Sequence, residues 1–331
     1  MKREELPAIR IESQNLSGSV EHYYHFFFGL LVPLVNWYCK NGRNYAKVYV
    51  RSCADLDIVL LELDYKNVVI LDRQKHLELA AQDHYECHCL QHIKLRGYDK
   101  PDAYLQNAFI SARNEILSRL EIVPDTVRNK IMSSNTEGRK TIIIDRKTPA
   151  KFFQSEYCEI QGGGNIRRSI PNIEQVEGSL FEYHPSMVCM EGLSLKRQAT
   201  IFHTADIIIA QHGAALSNLL FCRPGVTIVE IIPRNLIQDG IFSNYFRLLS
   251  RTIKAKHLIV MQHGSHSPVN ISSLLNTLML NRSSFKTEIL YLLYRKKRSI
   301  SLLLSRLRLL IKSFCANPYL CMKKSQHDLF K

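Results

Sequence analysis

The sequence lacks what would mark a membrane or secreted protein. Its longest apolar run, residues 26–35, contains Gly29 and Pro33 and falls well short of the roughly 20 residues a spanning helix needs. The opening Met-Lys-Arg-Glu-Glu-Leu-Pro has no apolar stretch behind its charges. No secretory leader is therefore expected, and the Asn-x-Ser sites at Asn15, Asn270 and Asn281 read as chance. Also missing are the Gly-Lys-Ser/Thr of a Walker loop, the Gly-x-Gly-x-x-Gly dinucleotide fingerprint, a Gly-x-Ser-x-Gly elbow and any repeat of fixed period. Cys87-His88-Cys89 with His92 has no second well-spaced ligand pair, so it does not make a structural zinc site. Asp55-Leu-Asp57 matches a metal-binding Asp-x-Asp in form, but it opens an expected helix, where Asp55 near the N-cap explains it. No metal and no cofactor are expected.

What is present is globular. Over 331 residues, 46% are hydrophobic and 22% charged, enough for a sizeable core and about two domains. Nine scattered cysteines read as reduced, mostly core thiols in a reducing compartment. The net charge of +14 is uneven: twelve Lys or Arg and two acids lie from Asn281 onward, which places +10 there and leaves +4 on the body. A basic protein invites a nucleic-acid reading, but no aromatic residues interleave a basic face, so no nucleic acid is expected.

Strand-like and helix-like segments alternate, the pattern of an α/β protein with parallel sheets. Strands are expected at 47–51, 68–71, 141–144, 187–189, 206–210 and 226–231. Helices are expected at 55–63, 104–120, 172–180, from a Ser194 cap to about His203, at 214–221 and at 240–250. Gly162-Gly163-Gly164 reads as a mobile loop. The polar stretch 129–139 places a boundary, giving domains 1–135 and 136–280 and a tail 281–331.

The densest stretch runs from Asp206 through Gln211-His212-Gly213-Ala214-Ala215-Leu216-Ser217-Asn218 to Pro224-Gly225 and Glu230-Ile-Ile-Pro233. It reads as strand, tight turn, helix, turn, strand. A helix start after a parallel strand offers backbone N–H groups and a dipole to an anion. The carboxyl edge of such a sheet is where ligands bind. A diphosphate fits there, with His212 donating to a phosphate oxygen and Glu230 accepting from a ribose diol. A plain tight turn and a surface carboxylate explain the same residues.

The stretch resembles glycosyltransferase family 61. It matches that family's pattern at Ala205, Asp206, His212, Gly213, Ala214, Leu216, Asn218, Pro224, Gly225, Glu230 and Pro233, and departs at Ala215 and Ser217. Upstream, Asp145-Arg146, Arg167-Arg168-Ser169-Ile170-Pro171-Asn172 and Glu191-Gly192-Leu193-Ser194-Leu195 with Gln198 resemble further family segments. Near the start, His22-Tyr23-Tyr24-His25-Phe26 resembles another, with His22 in place of Asn and Gly29 where an acid is frequent. The resemblance is strong over 140–233 and thin over 40–135.

It implies a GT-B-like fold, two Rossmann-like domains facing a cleft. It also implies a nucleotide-sugar donor, usually a uridine diphosphate sugar, and an inverting transfer without a metal to a glycan acceptor. Arg146 and Arg168 are then diphosphate clamps. Asn172, His212, Gly213 and Ala214 belong to the donor site. Asn218 fixes the turn or touches the nucleotide. Glu191 orients the site or serves only as charge near a helix start. His25 is the base, its ring kept neutral by burial, unless it is a core histidine. The departures at His22 and Gly29 favour the alternative of a non-catalytic nucleotide-sugar or glycan-binding homologue. Residues 285–314 read as a basic amphipathic helix with Arg295-Lys-Lys-Arg298. It either lies on an anionic membrane surface, placing a cytoplasmic enzyme at the membrane periphery, or packs on the body.

Overall fold

The computed structural model describes residues 6–13, 20–82, 86–93, 102–122, 139–148, 164–238 and 245–281. Its first half runs β1 (Ala8–Ser13), α1 (Tyr23–Phe26), a π-helical turn (Phe27–Leu31), α2 (Val32–Asn41), β2 (Lys47–Arg51), α3 (Asp57–Glu62), β3 (Val68–Leu71), α4 (Arg73–Ala80), β4 (Glu86–Leu90) and α5 (Ala103–Arg119). The second half runs β5 (Thr141–Asp145), α6 (Gly164–Arg167), α7 (Ile173–Ser179), β6 (Pro185–Cys189), α8 (Leu195–Thr204), β7 (Ile207–Gln211), a 3-10 helix (Ala214–Phe221), β8 (Thr227–Pro233), α9 (Arg234–Gln238), α10 (Tyr245–Thr252), β9 (Lys256–Gln262) and α11 (Ile271–Met279).

Every strand pairing is parallel. The first sheet has the order β3-β2-β1-β4 and the second β6-β5-β7-β8-β9. The chain is thus mixed α/β with two Rossmann-like parallel sheets, as its alternating pattern predicts. Strands β5 and β7 are near-continuous isoleucine because both faces of a central parallel strand are covered; Ile142–Ile144 and Ile207–Ile209 are all buried. The strands that patterning misses carry polar residues. β4 is an edge strand reading Glu-Cys-His-Cys, with all four exposed. β1 holds Arg10 and Glu12, and β9 opens on Lys256-His257.

The apolar run 26–35 is a helix buried on every side. Phe26, Phe27, Phe28, Leu31, Val32, Leu34 and Val35 are fully buried, as a helix apolar all round must be. Phe27 packs edge-on to Phe221 with centroids 5.8 Å apart, and Phe28 to Phe109 at 5.9 Å. One hydrophobic core therefore runs from the first sheet through this helix to the second. Polar ties reinforce it. Glu62 of α3 accepts from the Leu195 and Lys196 amides at the start of α8 at 3.1 and 2.9 Å, a carboxylate on a helix N-terminus. Arg113 donates to the Cys222 carbonyl at 3.2 Å.

Ser194 caps α8 as expected, accepting from the Arg197 amide; Asp72, Asp102 and Asn270 do the same for α4, α5 and α11. Such caps contribute about 1 kcal/mol each. The expected capping by Asp55 is corrected. Asp57 accepts from the Cys53 amide at 2.5 Å and the Ser52 hydroxyl at 2.6 Å, because a short 3-10 turn at Ala54–Leu56 delays the helix. The thiols differ from expectation too. Of six free cysteines among the described residues, only Cys53 and Cys222 are buried.

The domain boundary at 135/136, residues 162 and 163 of the glycine loop, the start of the helix at 240–250 and the tail from 282 onward lie outside the described residues. Among the described residues no helix is long and apolar enough to cross a membrane.

Candidate functional site

In the second sheet, the chain leaves β5 toward β6 on one side, while β7 continues to β8 on the other. The gap between the carboxyl ends of β5 and β7 is the switch point where open parallel sheets bind ligands. Parity fills it. Side chains alternate faces along a strand, so Ile142, Ile144 and Arg146 share a face with Ile208, Ala210 and His212 and with Ile228 and Glu230. Arg146 and His212 lie one residue beyond their strands, at that edge and on that face.

Arg146 Nη2 donates to the His212 carbonyl at 2.8 Å, and Nη1 to the Gly164 carbonyl at 3.5 Å. Gly213 is extended, so its backbone needs no glycine; the close approach does. A Cβ there would lie 1.8 Å from Arg146 Nη2. Ala214 and Ala215 then open the expected helix, which is of the 3-10 type.

Arg168 follows α6 and is only 7% exposed. Among the described residues its guanidinium has no hydrogen-bond or ion-pair partner, and its Nε is buried without an acceptor. Burial, then the charges of Arg146 and Arg167, push it down to about 9, and burial takes Arg146 to about 10. Both remain cations at neutral pH. Two buried cations near each other, with no carboxylate bonded to either among the described residues, are costly unless an anion joins them.

The loop bearing Arg168 is held from the other face of the sheet. Gln211 Nε2 donates to the Ser169 carbonyl at 3.0 Å and to Gln262 Oε1 at 2.6 Å, and Gln262 Nε2 donates to the same carbonyl at 3.0 Å. Asn172 spans to the loop before α11, donating to the Val269 carbonyl at 3.0 Å and accepting from its amide at 2.8 Å. Its expected place among donor ligands is corrected: both ends of its amide are engaged in fixing the loop.

Glu230 is also corrected. It is 2% exposed, and both oxygens are occupied. His212 Nδ1 donates to Oε1 at 2.5 Å and His257 Nε2 to Oε2 at 2.9 Å. Glu230 thus holds one histidine at each oxygen. Burial alone would raise the carboxyl, but the two imidazole hydrogen bonds outweigh it and hold Glu230 at about 2. Burial lowers His212, against the Glu230 hydrogen bond. Of its two expected roles, Asn218 takes the turn-fixing one. Fully buried, it donates to Gln198 Oε1 at 2.9 Å and the Ala215 carbonyl at 3.2 Å, and accepts from the Tyr23 hydroxyl at 2.7 Å. Glu191 is exposed in a turn whose Gly192 has φ +80°; among the described residues it makes no ion pair, but it is the strongest charge favouring the Arg146 cation.

His25 lies on the other half. Its ring is 6.3 Å from that of His92, which follows the carboxyl end of β4 beside β1, the first sheet's own switch point. The π-helical turn after His25 puts Gly29 against His92; a Cβ on Gly29 would sit 2.9 Å from His92 Cδ2. Tyr24 contacts Tyr245 and Phe246, and Phe246 contacts His212 with centroids 5.3 Å apart. These aromatic rings bring the carboxyl edges of the two sheets together. Among the described residues, no group of three His, Cys, Asp or Glu side chains could hold a metal ion.

Sequence reasoning missed His257, Phe246 and the Gln211–Gln262 pair. A signal existed: apolar 258–261 bounded by Lys256 and Gln262 is a buried strand pattern. Paired beside β8, it brings His257 next to Glu230.

No curated protein matches the chain. The glycosyltransferase 61 family model matches residues 23–229, from the first residue of α1 to the residue before Glu230. The match takes in more than half of the 331 residues, and it establishes that the chain belongs to glycosyltransferase family 61, a family that moves a sugar from a donor to an acceptor.

Proposed function

We propose that this chain is an inverting, metal-independent glycosyltransferase. In this reading it uses a nucleotide-sugar donor, a uridine diphosphate sugar in the first instance, and a hydroxyl of a polysaccharide or glycoconjugate as acceptor. The supporting observation is Arg168: a buried guanidinium without a partner among the described residues, beside Arg146, at a switch point. A diphosphate supplies the negative charge that these two cations lack.

The organisation is GT-B-like, with residues 1–135 carrying the acceptor edge and 136–280 the donor edge. Arg146, Arg168 and the backbone around Gly213 and Ala214 stabilise charge as it develops on the leaving diphosphate. His25 takes the acceptor's proton as its oxygen attacks the anomeric carbon, and the bond to phosphate oxygen breaks with its electron pair going to the diphosphate. The facing edges hold donor and acceptor in line.

A thermal-shift series with uridine, guanosine and cytidine diphosphates and their sugars tests the donor site, since ligand binding raises apparent stability. A shift with at least one, lost in Arg168→Ala, is expected; no shift with any overturns the reading. The non-catalytic alternative is favoured by Gly29, where His92 fills the space beside the backbone. Binding without donor hydrolysis or transfer would establish it. The basic segment 285–314 supports a cytoplasmic, membrane-peripheral placement. Flotation of the full chain with anionic liposomes, and loss of flotation after truncation at Asn281, is the expected result.

A further inference from the structure

The second sheet also has an amino edge, about one strand length, roughly 16 Å, from the carboxyl edge that carries Arg146. A cavity of about 640 Å³ lies there, lined by the starts of β7, β8 and β9 and by the end of α11. Helices α7 and α11 run back along the sheet and share one apolar cluster through Val176, Leu180, Leu274 and Leu278. Their last residues therefore return to this edge. α7 leads into the 3-10 turn Phe181–Tyr183 before β6, and Tyr183 and Met279 both line the cavity. The cluster ends in exposed side chains: Phe181 is 80% exposed, Met279 74% and Leu280 61%. Large apolar groups gathered beside charged ones mark a surface that meets a protein or a membrane.

The charges of the cavity do not balance. Its cations are Arg139, Arg223 and Lys256, and Asp206 is the carboxylate among the described residues that line it. Asp206 is already engaged: it accepts from Arg223 Nη2 at 2.9 Å and from the Lys140 amide at 2.9 Å. Among the described residues, no hydrogen bond or ion pair holds the side chain of Arg139 or Lys256 at the cavity wall. Lys140 and Lys254 are exposed beside them, and Glu182 of the turn before β6 opposes them. The cavity reaches Asn281. The fifty residues that follow carry twelve Lys or Arg and two acids. A basic cavity repels a basic segment, so charge disfavours that segment as the occupant. Both call for an anionic partner on the same side of the protein.

We propose that the amino edge of the second sheet is a docking surface for an anionic lipid bilayer. Arg139 and Lys256 take a headgroup phosphate at the cavity, while Phe181, Met279 and Leu280 enter the interfacial layer around it. The inference rests on the membrane-peripheral placement above and adds a second contact, on the folded body, to the basic segment. It also sets an orientation. The strands run away from the bilayer, so the carboxyl edge with Arg146 and Arg168 faces the water that brings a nucleotide.

Tryptophan fluorescence of the full chain tests the orientation, because Trp37 is the single tryptophan and is only 9% exposed. On vesicles of phosphatidylcholine and phosphatidylglycerol, Phe181→Trp should shift to the blue and be quenched by brominated acyl chains. Ile166→Trp, 62% exposed just before Arg168, should show neither effect. Arg139→Gln with Lys256→Gln should lower vesicle partitioning by about fivefold per charge removed, about 25-fold together. Tm and the diphosphate thermal shift should stay unchanged. Partitioning unchanged in the double variant, or quenching of Ile166→Trp and not of Phe181→Trp, overturns the inference and leaves the basic segment as the contact. Three other results also overturn it. Shielding of Phe181→Trp without vesicles, lost on truncation at Asn281, assigns the face to the chain's own C-terminal segment. Shielding that grows with protein concentration assigns it to a second copy. Stabilisation by inorganic phosphate, lost in the double variant and without lipid quenching, assigns the cavity to a soluble anion. Absence of wild-type partitioning overturns both this inference and the placement on which it rests.

Discussion

The carboxyl edges of the two sheets are built on opposite principles. At the second, nearly every polar group is held by another: Gln211 by Gln262, Glu230 by two histidines, Asn218 by Gln198 and Tyr23. Arg168 stands out within that lattice as a buried cation with no bond among the described residues. At the first, His25 sits at the start of a helix that is almost entirely core, followed by a π-helical turn, and His92 lies just past β4. The difference teaches where each edge can tolerate change. A lattice of hydrogen bonds is prepared in advance for charge. A helix end beside a packed core is placed by shape.

The largest expected effect separates the two edges functionally. His25→Ala should lower transfer by about 10²–10⁴-fold, the usual weight of a general base, with diphosphate binding unchanged in a thermal-shift assay. Loss of binding in this variant would break the assignment of separate roles. Arg168→Met should do the reverse, weakening diphosphate binding by about 100-fold, in line with loss of a charged hydrogen-bonding group. It should also raise Tm by a few degrees, because a buried unpaired charge is replaced by an apolar chain worth about 1 kcal/mol or more. A fall in Tm would show that Arg168 is structurally paired.

A glycine at each edge sharpens the contrast. Gly213→Ala puts a methyl 1.8 Å from Arg146 Nη2, and Gly29→Ala puts one 2.9 Å from His92 Cδ2. The first should expel the guanidinium and reduce diphosphate binding by about tenfold or more, because Arg146 loses its seat on the His212 carbonyl. The second should displace His92 by a few tenths of an ångström and reduce transfer without touching diphosphate affinity. Isothermal binding beside acceptor kinetics reads both.

Acid should affect the second edge first. Glu230 lies at about 2, below its ordinary 4.5, so its contribution to stability is full above 4.5 and is lost as pH falls toward 2. Chemical denaturation from neutral to acid pH should show a steeper loss in wild type than in Glu230→Gln. Equal slopes would mean that the carboxylate is not held as described.

The two edges also differ in how far they could be read from sequence. β5, β7 and β8 announce themselves as continuous apolar runs, and Ser194 and Gly213 mark their turns. Arg146, Arg168 and His212 could therefore be placed together from sequence. What pattern could not supply was partner choice. From sequence Glu230 looks available to a ribose; only the seat of His212 after β7 and of His257 on β9 reveals the two histidines that occupy it. Asn172 looks like a ligand until its amide is seen bridging to Val269. At the first edge, β1 and β4 are masked by charge and cysteine, so His92 could not be placed beside His25. A π-helical turn has no compositional signature that would have revealed the pairing.

The smallest expected effect tests whether the edges move as one. Tyr23 belongs to the helix that carries His25, and its hydroxyl donates to Asn218 Oδ1, the residue that fixes the turn after Gly213. The bond is a direct polar link from α1 to the turn after Gly213. Burial raises the Tyr23 hydroxyl far above the ordinary phenol range, so it remains a donor at any working pH. Tyr23→Phe keeps the ring against Phe27 and removes only this bond, so the stability loss should be about 1 kcal/mol. If the two edges are independent, the variant loses stability and nothing else. If they are registered through this bond, transfer falls by more than donor hydrolysis does, because hydrolysis needs only the donor edge while transfer needs both in line. Measuring the ratio of transfer to hydrolysis in wild type and Tyr23→Phe decides between them, and an unchanged ratio would leave the shared core as the means of alignment.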